Sequence, residues 1–370
     1  MNERAPSGLE RAKFHPLSLA DLSLEDLVGV RLLLRGGSIV DWQNLEFREH
    51  LDVDRFLQTN EFDPQSSADM DRLEAIRCEA VEYLSENFDL SIPPHVAEEI
   101  AARDLFLVSS RRGRGQMWAC VILKVMHIIH HLAGRDLLNR LAISSEDIYH
   151  LTELKVMQTV EELKAAGHPI VEFQWSRKPR NSLITKLLAK RSTLAANIYD
   201  KLRFRLVVRE RPDILPVLAA LTRHLIPFNY VIPGESVNHL ISFRDLVKQC
   251  DTLRDLETKS PDDKQLEQSQ NQAALAPLNE FSAEGYKIIN FVADLPLRVD
   301  DHVDEKPSPY GNTVFVMTEF QIVDSVTAKQ NEVGDGNHDA YKQRQYQSVR
   351  KRLLRGRRAP RYTGETIDDD

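Results

Sequence analysis

The sequence predicts an α+β protein in which a mainly helical N-terminal domain precedes a mixed β-sheet flanked by helices. Between residues 52 and 141, apolar residues recur at three- and four-residue steps, as they do on the buried stripe of a helix. Residues 170–175, 286–299 and 313–324 instead alternate apolar and polar side chains, which is the period of a strand. We expect the last two of these strands to pair antiparallel.

The helical pattern is clearest in three segments. Residues 69–88 carry a periodic apolar stripe, and residues 117–132 are apolar nearly all round, which predicts a central helix that Gly134 would cap. Residues 144–166 begin with a Ser-Ser-Glu-Asp run that resembles a capping box. Residues 23–35 fit either a strand or a short helix.

Composition limits the possible classes of protein. A chain of 370 residues is long enough for two domains and a tail, and its net charge of -8 confines any nucleic-acid contact to a local surface. Three scattered cysteines without CxxC spacing favour a reducing, cytoplasmic setting. No run of eighteen apolar residues occurs and the N-terminus has no long apolar core, so we expect neither a membrane span nor a signal peptide.

The chain divides at changes in composition. We expect a flexible lead-in (1–20), a mainly helical domain (21–143), a sheet domain (144–330) and a basic C-terminal tail (331–370). Residues 251–280 are rich in Gln and Asp, which predicts a polar insertion within the sheet domain.

The functional hypothesis rests on residues 173–208. Their pattern predicts a strand, then a helix that carries Lys178, Ser182 and Lys186 at four-residue steps and therefore on one face. A second strand follows, which is entered at Asp200 and contains Arg205. Cationic groups beside a carboxylate suit a metal-bound polyphosphate. A solvated helix face with a serine cap is the alternative for the same helix.

The helix resembles the first motif of the RelA/SpoT family of (p)ppGpp synthetases, whose synthetase domain would cover residues 144–324. That motif reads R-x-K-x-x-x-S-x-x-x-K. Lys178, Ser182 and Lys186 keep its spacing, and the arginine stands at Arg177, one place off. Three motifs in the right order are more specific than any one of them.

Two later motifs of the family also find counterparts. In D-x-x-G-x-R, Asp200 and Arg205 match and Arg203 stands at the small-residue position. In E-x-Q-I-R-T, Glu319 and Gln321 match, and they share one face of their strand. The arginine and threonine of that motif are replaced here by valine and aspartate.

The resemblance implies a nucleotidyltransferase-like sheet that transfers pyrophosphate from ATP to a ribose 3′-hydroxyl. Asp200 and Glu319 would be the catalytic carboxylates and would hold Mg²⁺, and Glu319 would also help to deprotonate the hydroxyl. The groups expected to bind the nucleotide are Arg177, Lys178, Ser182, Lys186, Arg205 and Gln321.

The acceptor side diverges from the family. We place the segment D-Y-I-x-x-P-K-x-N-G-Y-x-S-x-H at residues 229–243, where Tyr230 and Asn238 match. Leu240 and Phe243 then stand where the family has its stacking tyrosine and its histidine. The identity of the acceptor is therefore left open: it is a nucleotide, guanosine-based or not, or an RNA end such as that of tRNA.

The basic tail is a second functional signal. It begins with helical spacing, and interleaved tyrosines could stack on bases while its cations contact RNA phosphates. Those cations include Arg350, Lys351, Arg352, Arg355, Arg357 and Arg358. The alternative is a charged helix that pairs with the acidic body of the protein. A catalytically silent domain that binds nucleotide or RNA as a regulator is the rival function.

Two further patterns predict no site. Residues 26–31 also fit D-x-x-G-x-R, but no Lys–Ser–Lys helix precedes them. His127 and His131 have the i,i+4 spacing of a helical metal site, yet no glutamate follows His127, so we favour packing.

Overall fold

The computed structural model describes residues 14–35, 47–189, 202–232, 234–242, 286–302, 309–332 and 338–354. Its helices in the N-terminal part are α1 (Leu24–Arg35), α2 (His50–Thr59), α3 (Ser67–Phe88), α4 (Asp104–Ser110) and α5 (Gln116–Arg140). Those that follow are α6 (Ser145–Ala165), α7 (Arg180–Ala189), α8 (Ile214–His224), α9 (Ser325–Glu332) and α10 (His338–Leu353).

Five strands form one mixed sheet, which confirms the α+β class. They are β1 (Ile170–Arg177), β2 (Leu202–Val208), β3 (Val237–Asn238), β4 (Ile289–Arg298) and β5 (Thr313–Asp324), in the order β1-β2-β5-β4-β3. β2 and β5 are parallel, and the other neighbours are antiparallel. The predicted antiparallel pairing of β4 with β5 is confirmed.

Two long helices, α3 and α6, begin at serine caps. Ser66 accepts a hydrogen bond from the amide of Asp69 at the start of α3, and Ser144 does the same for Asp147 at the start of α6. Each bond satisfies a backbone donor that has no partner within its helix.

Two segments correct or complete the local expectations. The segment 23–35, whose pattern fitted either a strand or a helix, contains α1. The D-x-x-G-x-R pattern at 26–31 therefore lies on a helix and not at a strand entry.

Gly134 does not cap α5, because the helix continues to Arg140. It lies instead where α5 meets β5, and a Cβ at this position would come within 2.5 Å of the Phe315 ring. Glycine is therefore required by a close approach.

One face of the sheet is aromatic. Phe173, Phe204, Phe320 and Phe291 come from four adjacent strands, and their neighbouring ring centroids are 5.9, 5.6 and 5.5 Å apart. The last three are fully buried. Offset stacking of this kind adds to the apolar burial that holds the strands together.

Helix α5 is long and apolar enough to cross a membrane. This is weak evidence for a membrane span, because a buried core helix can have the same length and composition. Helix α5 packs against α3, α4 and the N-terminal end of β5, as the prediction of a central helix requires. The predicted insertion at 251–280 and the chain beyond Leu354 lie outside the described residues.

Candidate functional site

The face of the sheet opposite the aromatic rings carries polar side chains. The strand register places Arg203 beside Glu319 and Arg205 beside Gln321, and side chains that are paired across strands share a face. We call this surface the polar face and define it as Gln174, Ser176, Arg203, Arg205, Asn290, Glu319 and Gln321. The sequence-based expectation that Glu319 and Gln321 share a face is confirmed.

Glu319 lies at the centre of the polar face and is only 7% exposed. Its Oε2 atom accepts a hydrogen bond of 2.9 Å from Nε of Arg203, and Nη2 of the same guanidinium lies 2.9 Å from that oxygen as an ion pair. Its Oε1 atom accepts a bond of 3.1 Å from Nε2 of Gln321. A buried carboxylate with donors on both oxygens is held in a fixed orientation.

Arg205 offers an unused donor to this face. Its register neighbours are Gln321 on β5 and Gln174 on β1. The Nε atom of Arg205 is buried, and no hydrogen-bond partner for it occurs in the described part of the chain. A buried donor without a partner is energetically unfavourable. The Nε–H group of Arg205 can therefore bind an acceptor such as a phosphate oxygen.

Arg177 does not belong to the polar face. The register pairs it with Leu202, which faces the aromatic side of the sheet. Its guanidinium donates to both oxygens of Glu153 on α6, at 2.5 and 2.7 Å, and to Glu146 at 2.5 Å. Arg177 was predicted to bind nucleotide; in the structure its guanidinium is bound to two carboxylates of α6 and lies on the opposite side of the sheet from the polar face.

The structure describes some of the other residues that were predicted to bind phosphate. Lys178 is half-buried and precedes α7, which begins at Arg180, so it does not share a helix face with Ser182 and Lys186 as predicted. Ser182 lies in the first turn of α7, and its amide donates to the carbonyl of Pro179. Lys186 lies one turn further on, and Asp200 is outside the described residues.

The basic helix α10 packs against α7. Val349 of α10 is buried, whereas Tyr346, Arg350 and Lys351 are exposed. Arg352 lies on the same helix, and Arg355, Arg357 and Arg358 lie outside the described residues. The described part of the tail thus lies beside the helix that was predicted to bind phosphate.

The two residues predicted for the acceptor side, Tyr230 and Asn238, both have hydrogen-bond partners within the fold. Tyr230 is 4% exposed, and its hydroxyl is 2.8 Å from Nδ1 of His130 on α5. Burial raises the pKa of the Tyr230 hydroxyl well above its ordinary value. Asn238 organises its own turn, because its Oδ1 accepts from the amides of Leu240 and Ile241. In this arrangement both residues act within the fold.

Tyr286 is a candidate site residue that the sequence-based alignment did not include. It lies just before β4 and is half-buried, and burial raises the pKa of its hydroxyl, while the positive charges of Arg205 and Arg203 lower that pKa. A signal for it was present: Gly285, Tyr286 and Asn290 have the spacing of the glycine, tyrosine and histidine in G-Y-x-S-x-H. Asn290 accepts a hydrogen bond from Gln321 on the polar face.

Mg²⁺ at Glu319 fits these residues poorly. Both oxygens of that carboxylate already accept N–H groups, and the guanidinium of Arg203 places a positive charge beside them. Across the described ranges, no group of three or more His, Cys, Asp or Glu side chains is arranged to hold a metal ion. The guanidinium of Arg203 thus already supplies a positive charge at Glu319.

A histidine–aspartate pair borders the polar face. His131 Nε2 on α5 is 2.7 Å from Oδ2 of Asp294, which is 2% exposed. Asp294 faces the same side of the sheet as Glu319 and lies diagonal to it in the register. Burial lowers the pKa of His127 to about 4 and that of His130 to about 3, so both are neutral near pH 7. All three histidine rings contact Tyr230.

Comparison with known proteins gives structural neighbours only. The chain matches no family model and no curated protein. It is similar to the small alarmone synthetase 1 from Bacillus subtilis, with 15% identity, a TM-score of 0.30, and coverage of 54% of this chain and 82% of that one. The same synthetase bound to its product pppGpp gives 16% identity, a TM-score of 0.29, and coverage of 54% and 84%. A GTP pyrophosphokinase family protein from Streptococcus pneumoniae gives 16% identity, a TM-score of 0.25, and coverage of 57% and 89%.

Proposed function

We propose that the polar face binds the phosphates of ATP and transfers the β,γ-pyrophosphoryl group to a ribose 3′-hydroxyl of a nucleotide or of an RNA end. The bond between the hydroxyl oxygen and the β-phosphorus forms as the bond to the α-phosphate breaks, AMP leaves, and the hydroxyl proton is released. The observation that carries this proposal is the buried Nε of Arg205, which has no partner among the described residues. A guanidinium presents donors in a geometry that matches phosphate oxygens. A buried donor without an acceptor lowers the stability of the fold. A ligand that supplies the acceptor would explain why this donor is kept.

The surrounding residues have roles that suit this chemistry. Arg203 and Arg205 lie two residues apart on one strand face and would neutralise charge on a triphosphate. Tyr286 presents a half-buried ring beside them, on which an acceptor base could stack. Lys178, Ser182 and Lys186 would extend the phosphate contacts, and Asp200 would add a carboxylate.

Label transfer tests the proposal directly. The purified chain is incubated with γ-labelled ATP and Mg²⁺, together with GDP, GTP, ADP or total tRNA. We expect label in one acceptor, and at least about a hundredfold loss with Arg205→Ala or Glu319→Ala, because electrostatic groups of this kind typically contribute that much. Arg103→Ala removes a comparable arginine, which pairs with Asp54 in the helical part, and should leave transfer unchanged.

The rival function is a silent domain that binds nucleotide or RNA as a regulator. Two observations favour it: Glu319 is already neutralised by Arg203, and α10 exposes Tyr346, Arg350 and Lys351 on its surface. Absence of transfer to every acceptor, with ATP or tRNA binding that survives Glu319→Ala, would select this rival.

A further inference from the structure

We infer that Arg203 is a built-in cation that takes the place of a divalent metal ion at Glu319, so that the polar face binds polyphosphate without recruiting a metal ion through the protein. The inference rests on the proposed function in one respect, namely that the polar face is where nucleotide phosphates bind. It concerns the cofactor requirement of that face and holds for a transferase and for a silent binder alike.

The position of Arg203 is set by the sheet. β2 and β5 run parallel and in register, which places Arg203 directly beside Glu319 on the polar face. Two nitrogens of the guanidinium lie 2.9 Å from one oxygen of the carboxylate. Arg203 occupies the glycine position of the motif D-x-x-G-x-R. Glycine has no side chain, so it would leave the Glu319 carboxylate uncovered on this side.

The charge at Glu319 is therefore already compensated. A divalent ion at this carboxylate would have to displace the guanidinium or lie a few ångströms from a fixed positive charge, and either arrangement is unfavourable in a partly buried site. The second oxygen is occupied by Gln321 as well. The carboxylate thus has a strongly bound partner before any ligand arrives.

The guanidinium of Arg203 can also bind phosphate oxygens, as a metal ion would. Alternate residues on a strand lie roughly 7 Å apart on one face, so Arg203 and Arg205 form a pair of fixed cations along β2. A triphosphate can bridge two such groups, and arginine binds phosphate through paired N–H donors. Glu319 orients Arg203 for this contact.

Binding measurements on the full chain test the inference. ATP affinity is measured by calorimetry in excess EDTA and in excess Mg²⁺, and binding of Mn²⁺ alone is followed by electron paramagnetic resonance. For the wild type we expect affinities within about threefold of each other in the two conditions and no bound Mn²⁺. For Arg203→Gly we expect at least about a tenfold loss in EDTA, recovery with Mg²⁺, and a new Mn²⁺ site.

A conservative variant keeps the test decisive if Arg203→Gly folds poorly. Arg203→Lys retains the charge, so its ATP affinity should stay nearly independent of Mg²⁺. Arg103→Gly serves as a matched loss of a paired arginine elsewhere and should not make ATP binding depend on metal. Thermal melting of each variant reports whether the fold is intact.

The outcomes separate this inference from the proposed function. Metal-independent ATP binding without pyrophosphate transfer supports the inference and removes the transferase. Transfer by a wild-type chain that binds Mn²⁺ alone, or that binds ATP at least about tenfold more tightly with Mg²⁺, supports the transferase and overturns the inference. Absence of ATP binding in both conditions overturns both.

Discussion

Lys155 of α6 and Glu61, which follows α2, form an ion pair in which Nζ lies 2.5 Å from Oε1, and both side chains are buried. Lys155 also donates to the backbone carbonyl of Pro296 on β4. One ammonium group thereby joins the N-terminal helices, α6 and the sheet. Removal of one partner from a buried ion pair leaves the other charge without compensation.

Lys155→Met is expected to lower the free energy of unfolding by about 3–5 kcal/mol. The measurement is urea denaturation followed by circular dichroism. The matched control is Lys164→Met on the same helix, where the pair with Glu161 is largely exposed, and its effect should stay below about 1 kcal/mol. Similar losses for the two variants would contradict this account of the buried pair.

Glu25 on α1 should make stability depend on pH. Burial, with the nearby charges of Asp52 and Asp26, raises the pKa of the Glu25 carboxyl from 4.5 to about 8. Between these values the folded state holds a proton that the unfolded state has released. The contribution of this group is therefore complete below about pH 4.5 and is lost as the pH rises to about 8.

Glu25→Gln keeps the hydrogen-bonding shape without the titration. The variant should be more stable than the wild type at a pH above 8, and the difference should shrink as the pH falls towards 4.5. Urea midpoints of both proteins across this range provide the measurement. A difference that does not change with pH would show that the carboxyl does not titrate as described.

Sequence patterns predicted those elements whose determinants are local. The apolar stripe of α3 and the alternation of β4 and β5 each lie within one segment, so periodicity alone found them. The contact between Arg203 and Glu319 joins residues 116 positions apart, and that between His131 and Asp294 joins residues 163 apart. Pairings at such distances depend on strand register, which the sequence does not display.

The acceptor side was assigned from residue matches alone. The alignment placed its motif at residues 229–243 because Tyr230 and Asn238 match. The strand that begins beside Tyr286 occurs some fifty residues later in the chain. Arg177 lies on the side of the sheet opposite the polar face because the side chains of a strand alternate between its two faces.

Gly134→Ala should destabilise the contact between α5 and the sheet. An added Cβ would lie 2.5 Å from two ring carbons of Phe315 and 2.6 Å from the carbonyl oxygen of Thr313. Overpacking of this kind typically costs about 1–3 kcal/mol. Gly113→Ala is the control, because nothing lies within 4 Å of the added atom. Equal unfolding midpoints for the two variants would be inconsistent with the close approach.

Tyr286→Ala tests which tyrosine belongs to the acceptor side. We expect about a tenfold weaker Kd or higher KM for the acceptor that the label-transfer panel identifies, since stacking on a base is worth about 1–3 kcal/mol. ATP affinity should change little.

Tyr286→Phe keeps the aromatic ring and should keep the affinity for the acceptor. Tyr83→Ala removes an exposed tyrosine from α3 and serves as the control. A loss confined to Tyr230→Phe would instead support the original alignment.

Arg177→Ala distinguishes the motif-based placement from the structural one. The motif assigns this arginine to ATP, whereas the structure shows its guanidinium bound to Glu153 and Glu146 beside α6. We therefore expect unchanged ATP affinity and a loss of about 1–3 kcal/mol in unfolding free energy, because Glu153 is left nearly buried without its partner. Arg205→Ala should show the opposite pattern, with weaker ATP binding and a smaller change in stability. Calorimetry and urea denaturation of the two variants, measured side by side, decide which arginine contacts phosphate.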